Sequence, residues 1–277
     1  MHTNIKHIFN INDLNLEFDK NGFVLLKNHS KLNISSLSKK YFELHELYIN
    51  NQTSNDSSYD LSFFTLNPQI KEKIFSEIWD NLKEFIETIL PDYEPLIINM
   101  FNKKPGGGEV PIHQNWTFVD ESKFTSVSVW IPLTKVNHKN GTLEVVKGTH
   151  KEISLHRSPT IPWVFKGFEE ELKKEWMTPL NIEIGDIAII DDSIIHYSSN
   201  NNSDKDRPSL QLILKPKKAD AIHYLGDNGQ TKDLKVFKVN SNYFFDFDMN
   251  STEINMPLLY KTKSKNEPFS IKKLTLL

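Results

Sequence analysis

Short apolar segments separated by turn residues fill the middle of this chain and most constrain its fold. They recur at close intervals and carry the β-branched and aromatic side chains that are typical of strands. Helical patterns are confined to the N-terminal part, which argues against a parallel βαβ sheet and indicates a sandwich or barrel of strands with flanking helices. The predicted strands are residues 23–26, 96–101, 127–133, 142–146, 187–190 and 210–214.

Two amphipathic helices are predicted before the strands, at residues 31–48 and 68–90. The second has the stronger signals, because Asn67 suits the N-cap and Pro68 the first turn. Its apolar residues recur at spacings of three and four, in a stripe wide enough to cover a sheet. We expect this helix to have a structural role.

Three local patterns give more detailed predictions. Residues 127–133 alternate between apolar and polar or small side chains, which predicts a half-buried strand. Asn140-Gly141 predicts a hairpin turn leading into the strand at 142–146. Residues 234–239 alternate in the manner of an edge strand.

The chain is predicted to form one domain, residues 1–277. Within it, residues 1–92 supply an N-terminal strand and helices, 93–215 the β core, and 216–277 an extension that packs on the same core. An insertion at 152–178 and a polar loop at 51–60 have the composition of binding loops or lids.

Composition excludes several classes of function. The formal net charge of −3 over 277 residues, without a Lys/Arg block, predicts no nucleic-acid partner. The absence of cysteine excludes disulfides and thiolate chemistry, so a metal would have to bind His, carboxylate, amide or water. No apolar stretch approaches the ~18 residues of a membrane helix, and no signal peptide is evident, so no membrane partner and a cytoplasmic location are expected.

Three side chains are candidate metal ligands: His113, Asn115 and His196. Residues two apart on a strand point the same way, so His113 and Asn115 can face one metal together. His196 ends another predicted strand and can approach from across the barrel. Arg207 begins the next strand, where its guanidinium can hold a carboxylate in a bidentate manner; the alternative is a surface pair with Asp204 or Asp206. For His138, His150 and His156 we expect structural roles.

Several motifs, in this order, resemble those of the phytanoyl-CoA dioxygenase-like family of Fe(II)/2-oxoglutarate-dependent oxygenases. The resemblance extends from about residue 22 to about residue 215. It implies a double-stranded β-helix (jelly-roll, cupin-like) barrel with the N-terminal helices packed on one sheet. The motifs are His113-Gln114-Asn115-Trp116, residues 129–133, residues 140–143, Gly148-Thr149-His150, Gly185-Asp186, and His196 followed by Arg207-Pro208-Ser209.

The resemblance also implies a site and a reaction. His113, His196 and position 115 would bind Fe(II), while Arg207 and Ser209 would bind the distal carboxylate of 2-oxoglutarate. The protein would then be a dioxygenase that uses dioxygen to oxidise a C–H bond of a small-molecule substrate, in specialised metabolism.

Asn115 departs from the family pattern, which has Asp at this position. Its amide oxygen can coordinate the metal, or a water can take the vacant position. Loss of the carboxylate can instead open a position for a halide, as in related halogenases, although those have Gly or Ala. The third alternative is a catalytically inactive protein that binds a small carboxylate ligand or a partner. Asp120 and Glu121 are nearby carboxylates that could replace the missing one, and a cupin-type metalloenzyme without 2-oxoglutarate is a further alternative.

Overall fold

The computed structural model describes residues 7–27, 32–50, 59–153, 156–249 and 253–276. Most of the predicted polar loop at 51–60, and the N-terminal segment in which a signal peptide was sought, lie outside these ranges. The strands of the core form two antiparallel sheets. In spatial order, the six-stranded sheet contains β1 (Phe23–Leu26), β8 (Ile187–Asp191), β5 (Val127–Pro132), β10 (Arg207–Pro216), β3 (Tyr93–Lys103) and β2 (Tyr59–Leu61), and the four-stranded sheet contains β4 (Val110–His113), β9 (Ile195–Ser198), β6 (Leu143–Val146) and β7 (Thr178–Pro179).

The two sheets pack face to face. Trp130 and Ile190 of the larger sheet share an apolar cluster with Leu143 and Val145 of the smaller one. This arrangement confirms the predicted all-β core with flanking helices.

The three long helices cover the outer face of the six-stranded sheet. The long ones are α1 (Asn12–Asn21), α2 (Ile34–Ile49) and α3 (Pro68–Ile89), and the short ones are α4 (Thr149–Glu152), α5 (Glu169–Glu171) and α6 (Ser241–Asp246). None of the helices in the described ranges has both the length and the apolar character needed to cross a bilayer.

Helix α3 forms for the reasons that its sequence indicates. The side chain of Asn67 accepts hydrogen bonds from the backbone N–H groups of Gln69 and Ile70, and Pro68 occupies the first turn. Ile74 and Ile78 are fully buried, in one cluster with residues of β5 and β10. The predicted sheet-covering helix is therefore confirmed.

Strand β5 is buried on both faces, so the prediction of a half-buried strand is wrong. Val127, Val129 and Ile131 pack in the helix-side cluster. Ser128 and Trp130 point to the opposite face and line an internal cavity. The alternation in the sequence separates an apolar layer from a cavity wall, not a core from solvent.

The predicted hairpin at Asn140-Gly141 is also wrong, because the strands on either side of it belong to different sheets. Residues His138–Asn140 form a short 3₁₀ turn. Gly141 has a positive φ of 79°, and a Cβ atom there would lie 2.3 Å from the carbonyl oxygen of Ser199. The absence of a side chain at Gly141 thus lets its backbone lie against that of Ser199, where the chain crosses from one sheet to the other.

The C-terminal extension forms a third antiparallel sheet of β11 (Ala221–Leu225), β12 (Asp233–Val239) and β13 (Leu258–Lys263). Strand β12 lies in its centre, so the prediction of an edge strand there is wrong. Phe237 and Phe244 of the extension cluster with Ile97 and Ile213 of the core. The extension packs on the core as expected.

Candidate metal centre

The two candidate histidines lie side by side on neighbouring strands of the four-stranded sheet. His113 ends β4 and stands opposite His196 on β9 in the strand register. Their ring centroids are 4.0 Å apart, and both side chains line the same cavity. The two histidines are close together, as expected, but they lie on neighbouring strands of one sheet, so the prediction that His196 approaches from across the barrel is wrong.

Each imidazole is held through Nδ1 by a backbone carbonyl two residues earlier. Pro111 O lies 2.7 Å from Nδ1 of His113, and Ile194 O lies 3.0 Å from Nδ1 of His196. Because a carbonyl oxygen can only accept, Nδ1 carries the proton in both rings. Burial lowers the pKa of both side chains, and for His196 the neighbouring His113 adds to this effect. Both rings are neutral at pH 7 and keep the Nε2 lone pair for a metal.

Asn115 lies just beyond β4 and lines the same cavity. Its Nδ2 donates to the hydroxyl of Ser128 on β5 at 2.8 Å and to Oδ1 of Asp192 at 2.8 Å. The Ser128 hydroxyl donates to the same Asp192 oxygen at 2.7 Å. The amide of Asn115 is thus held through its nitrogen, and its oxygen remains as a donor atom for a metal.

Asp192 is a fully buried carboxyl group to which the sequence analysis assigned no role. Burial raises its pKa to about 7, although the hydrogen bonds from Ser128 and Asn115 oppose this rise. The nearest signal in the sequence was the Asp191-Asp192 pair ahead of His196, but its contact with Asn115 spans 77 positions. Only the fold brings the two residues together.

The insertion reaches the centre through Arg157, which sequence analysis also missed. Arg157 Nε donates to the backbone carbonyl of Asn115, and its terminal nitrogens form an ion pair with both oxygens of Glu121. Asp120 forms an ion pair with Lys123 and accepts a hydrogen bond from the Ser122 hydroxyl. Neither Glu121 nor Asp120 therefore replaces the carboxylate that is absent from position 115.

Arg207 begins β10 and is only 2% exposed, so the alternative of a surface ion pair is wrong. Its guanidinium carbon lies 5.4 Å from the ring centroids of both Phe101 and Trp130. Nη1 donates to the Ser209 hydroxyl at 3.3 Å, while Nε has no hydrogen-bond partner among the described residues. Burial lowers the pKa of Arg207 to about 10, so the group stays charged at neutral pH.

Such a buried cation calls for an anion. Arg207 lines the cavity and has no carboxylate partner in the described part of the chain. Ser209 is fully buried behind it, and its described side-chain contact is with the guanidinium itself. Arg207 is thus placed to bind a carboxylate, and Ser209 to fix Arg207.

The cavity has a volume of about 610 Å³. A second cavity of about 420 Å³ adjoins it and shares His113 and Trp163 as part of its wall. Trp163 comes from the insertion and donates from Nε1 to the carbonyl of Ile112 at 2.7 Å. The aromatic residues that line the larger cavity are Tyr59, Phe63, Phe64, Phe101, Trp116, Phe118, Trp130, Trp163 and Tyr197.

The donor set of the centre is neutral. Across the described ranges, no group of three or more His, Cys, Asp or Glu side chains is arranged to hold a metal ion. Two imidazoles and one amide oxygen can still hold a divalent iron, since imidazole suits this metal. Two other histidines have contacts or exposure of their own: His150 bonds the Asp19 carbonyl, and the His138 side chain is 75% exposed.

Two facing antiparallel sheets, with paired histidines and a buried arginine between them, define a double-stranded β-helix protein with a two-histidine centre. The model of the phytanoyl-CoA dioxygenase (PhyH) family matches residues 18–209. The chain therefore belongs to the phytanoyl-CoA dioxygenase family.

A curated relative, the phytanoyl-CoA dioxygenase domain-containing protein 1 homolog of Dictyostelium discoideum, is 28% identical over 174 residues. The alignment covers 59% of this chain and 57% of that protein, so the chain spans less than two thirds of the relative's length.

Solved structures confirm the fold. The epimerase SnoN, in complex with Fe³⁺, alpha ketoglutarate and nogalamycin RO, matches with a TM-score of 0.55 and 16% identity over 76% of this chain and 85% of that one. HygX from Streptomyces hygroscopicus, with nickel and 2-oxoglutarate bound, matches with a TM-score of 0.51 and 11% identity over 75% of this chain and 88% of that one.

Proposed function

We propose that this protein is an Fe(II)- and 2-oxoglutarate-dependent oxygenase that oxidises a C–H bond of a small molecule. One observation carries the proposal. Two histidines, whose Nδ1–H groups are bound to backbone carbonyls, share a cavity with a buried guanidinium that has no carboxylate partner among the described residues. Membership of the phytanoyl-CoA dioxygenase family supports the same assignment.

In this proposal, His113, His196 and the amide oxygen of Asn115 hold the iron. Bound iron and 2-oxoglutarate supply the oxidising chemistry, with dioxygen as the other reactant. The backbone carbonyls of Pro111 and Ile194 keep both rings in the tautomer that leaves Nε2 available. The protein's part is to orient the reactants in a site that is screened from water.

Arg207 binds the distal carboxylate of 2-oxoglutarate. Its planar fork of N–H donors matches a carboxylate, and the neighbouring Phe101 and Trp130 rings lower the local dielectric. Ser209 holds the fork from behind. The cosubstrate would thus compensate the one buried cation that faces this cavity without a partner among the described residues.

The substrate is a small molecule with a mainly apolar surface. The aromatic walls and the volume of about 610 Å³ suit such a molecule beside the cosubstrate. A role in specialised metabolism is supported by SnoN, an enzyme from nogalamycin biosynthesis. A cytoplasmic location stays a prediction.

A second candidate function is a catalytically inactive member of the family that binds a small carboxylate ligand or a partner. The neutral Asn115 favours it, because an amide holds a divalent cation less strongly than a carboxylate does. In this alternative Arg207 still binds a carboxylate, but the protein binds no iron and carries out no oxidation.

The test is an anaerobic titration of the metal-free protein with Fe(II) and 2-oxoglutarate, followed by visible absorption. We expect the weak charge-transfer band of the chelate in the wild type and its loss in His113→Ala and in Arg207→Ala. His138→Ala, which removes an exposed histidine, serves as the matched control and should leave the band unchanged.

Absence of the band from the wild type would overturn the oxygenase proposal. If 2-oxoglutarate then binds the metal-free protein, and binds it more weakly after Arg207→Ala, the binding-protein alternative replaces it. Halide dependence of the band would identify the halogenase alternative.

A further inference from the structure

Asn115 is held at an unusual number of points for a side chain beside an open cavity. Both N–H groups of its amide are used, one by the Ser128 hydroxyl and one by Asp192 Oδ1, each at 2.8 Å. Its backbone carbonyl accepts from Arg157 Nε. The amide nitrogen is therefore fixed toward the protein interior.

The contacts also fix which end of the amide faces the cavity. An amide nitrogen can only donate, and an oxygen of Asp192 accepts from it whether or not the other carboxyl oxygen carries a proton. Against an ionised Asp192, a flipped amide would set Asn115 Oδ1 at hydrogen-bond distance from Asp192 Oδ1, with no hydrogen between them. The Ser128 hydroxyl donates to the same Asp192 oxygen and holds it in place.

We propose that Asp192 is a positioning residue: its buried oxygen accepts from the Asn115 amide nitrogen and so presents the Asn115 amide oxygen to the metal. This inference rests on the proposed function, since it assumes that the cavity binds a metal. Asp192 does not itself coordinate the metal; it acts through the amide. The pair Asn115 and Asp192 thus carries one donor and one acceptor in complementary positions.

The pairing explains why a carboxylate at position 115 would not simply strengthen the centre. The Asn115→Asp substitution would replace the donating nitrogen by an oxygen and place it about 2.8 Å from Asp192 Oδ1. Two carboxylates at that distance repel unless one is protonated or moves. The exchanged double variant, Asn115→Asp/Asp192→Asn, restores one donor opposite one acceptor.

The experiment measures the affinity of the metal-free protein for Co(II), whose ligand-field absorption reports the coordinating atoms. Asp192→Ala should weaken Co(II) binding about 10- to 100-fold, the usual cost of removing a partner that orients a metal ligand. Asp192→Asn keeps an acceptor oxygen for the amide and should restore affinity close to that of the wild type. A merely structural role would lower the melting temperature of Asp192→Ala without changing the Co(II) spectrum of the folded protein.

The second part of the experiment uses the double variant. Asn115→Asp/Asp192→Asn should bind Co(II) at least about tenfold more tightly than Asn115→Asp alone, the lower end of the same range. Asp186→Ala is the matched control, because Asp186 is an equally buried carboxylate that pairs with Lys27. It should lower the melting temperature without changing the Co(II) spectrum or affinity.

Two outcomes would overturn the inference while leaving the metal site intact. In one, Asp192→Ala and Asp192→Asn bind Co(II) equally well; in the other, Asn115→Asp binds it as tightly as the double variant does. A different result, no Co(II) binding by any variant that remains folded, would overturn both this inference and the proposed iron site.

Discussion

Arg207 is a permanent charge held almost completely out of water, and within the described ranges its neighbours are aromatic rings and a serine, not a counterion. Burying a guanidinium without an anion costs stability, so its retention here is best explained by a bound carboxylate. The described contacts of the side chain are a serine hydroxyl and two rings. The bound anion would complete the site.

Arg207→Lys tests this explanation without removing the positive charge. We expect the affinity for 2-oxoglutarate to fall about tenfold or more, because a charge-assisted hydrogen bond contributes about 1.5–3 kcal/mol and lysine loses the bidentate geometry. The dissociation constant is measured by the anaerobic titration. Ser209→Ala, which removes the support for Arg207, should cause a smaller loss, and equal affinity in all three proteins would refute the clamp.

Lys103 is a second buried cation near the same strand end. Its Nζ donates to the carbonyl and hydroxyl of Ser198 and to the carbonyl of Ser199. Burial, and then the nearby charge of Arg207, lower its pKa to about 7. The folded protein therefore binds this proton less tightly than the unfolded chain, in which the pKa of lysine is about 10.4.

The consequence is a pH-dependent stability of predictable sign. Between pH 7 and about 10 the unfolded state holds more protons than the folded state, so the free energy of unfolding should rise with pH. Lys103→Met should lose this rise, as measured by urea unfolding of the metal-free protein across that range. Lys139→Met, at an exposed lysine, should parallel the wild type, and a wild-type profile as flat as that of Lys103→Met would contradict the assignment.

At the scale of single residues, the sequence predicts the site only in part. The i, i+2 spacing predicted that His113 and Asn115 face one cavity, and they do, although Asn115 lies beyond the end of β4 and outside the strand geometry on which the prediction rested. Asp192 and Arg157 contact Asn115 only because distant segments converge. No local spacing encodes such contacts, so sequence analysis could not find them.

Among the elements, α3 connects the helical layer to the sheet. Its Ile78 is fully buried, whereas Glu72 on the same helix is exposed. Ile78→Ala should lower the free energy of unfolding by about 2–5 kcal/mol, because it leaves a cavity in a packed layer. Glu72→Ala should change it by less than about 0.5 kcal/mol. Urea denaturation distinguishes the two, and equal effects would show that the stripe is not the packing face.

Element types follow from the sequence more reliably than the neighbours of each element. The stripe and cap of α3 are local, so its bounds were predicted closely. The turn at Gly141 was recognisable, but turn chemistry does not say whether the next strand pairs with the previous one or crosses to the other sheet. The alternation in β5 likewise did not show that its second face is covered by a cavity wall.

At the scale of the whole molecule, we propose that residues 1–277 form one cooperative unit in which the C-terminal extension completes the core. Phe244 of the extension is 2% exposed, while Phe42 on α2 is 56% exposed. Phe244→Ala should cost about 3–5 kcal/mol and lower a single thermal transition, whereas Phe42→Ala should leave it nearly unchanged. Two separate transitions in the wild type would instead indicate an independent extension.

Arg157 connects the insertion at residues 152–178 to the candidate metal centre, because it bonds the backbone of Asn115. The insertion lines the second cavity and, through the Arg157 side chain, also holds the backbone carbonyl of Asn115. Exchange of the insertion between relatives, whether by evolution or by loop grafting, would therefore alter the position of Asn115, the proposed third metal ligand, together with the wall of the second cavity. A graft aimed at a new substrate has to carry Arg157 and its Glu121 counterion with it.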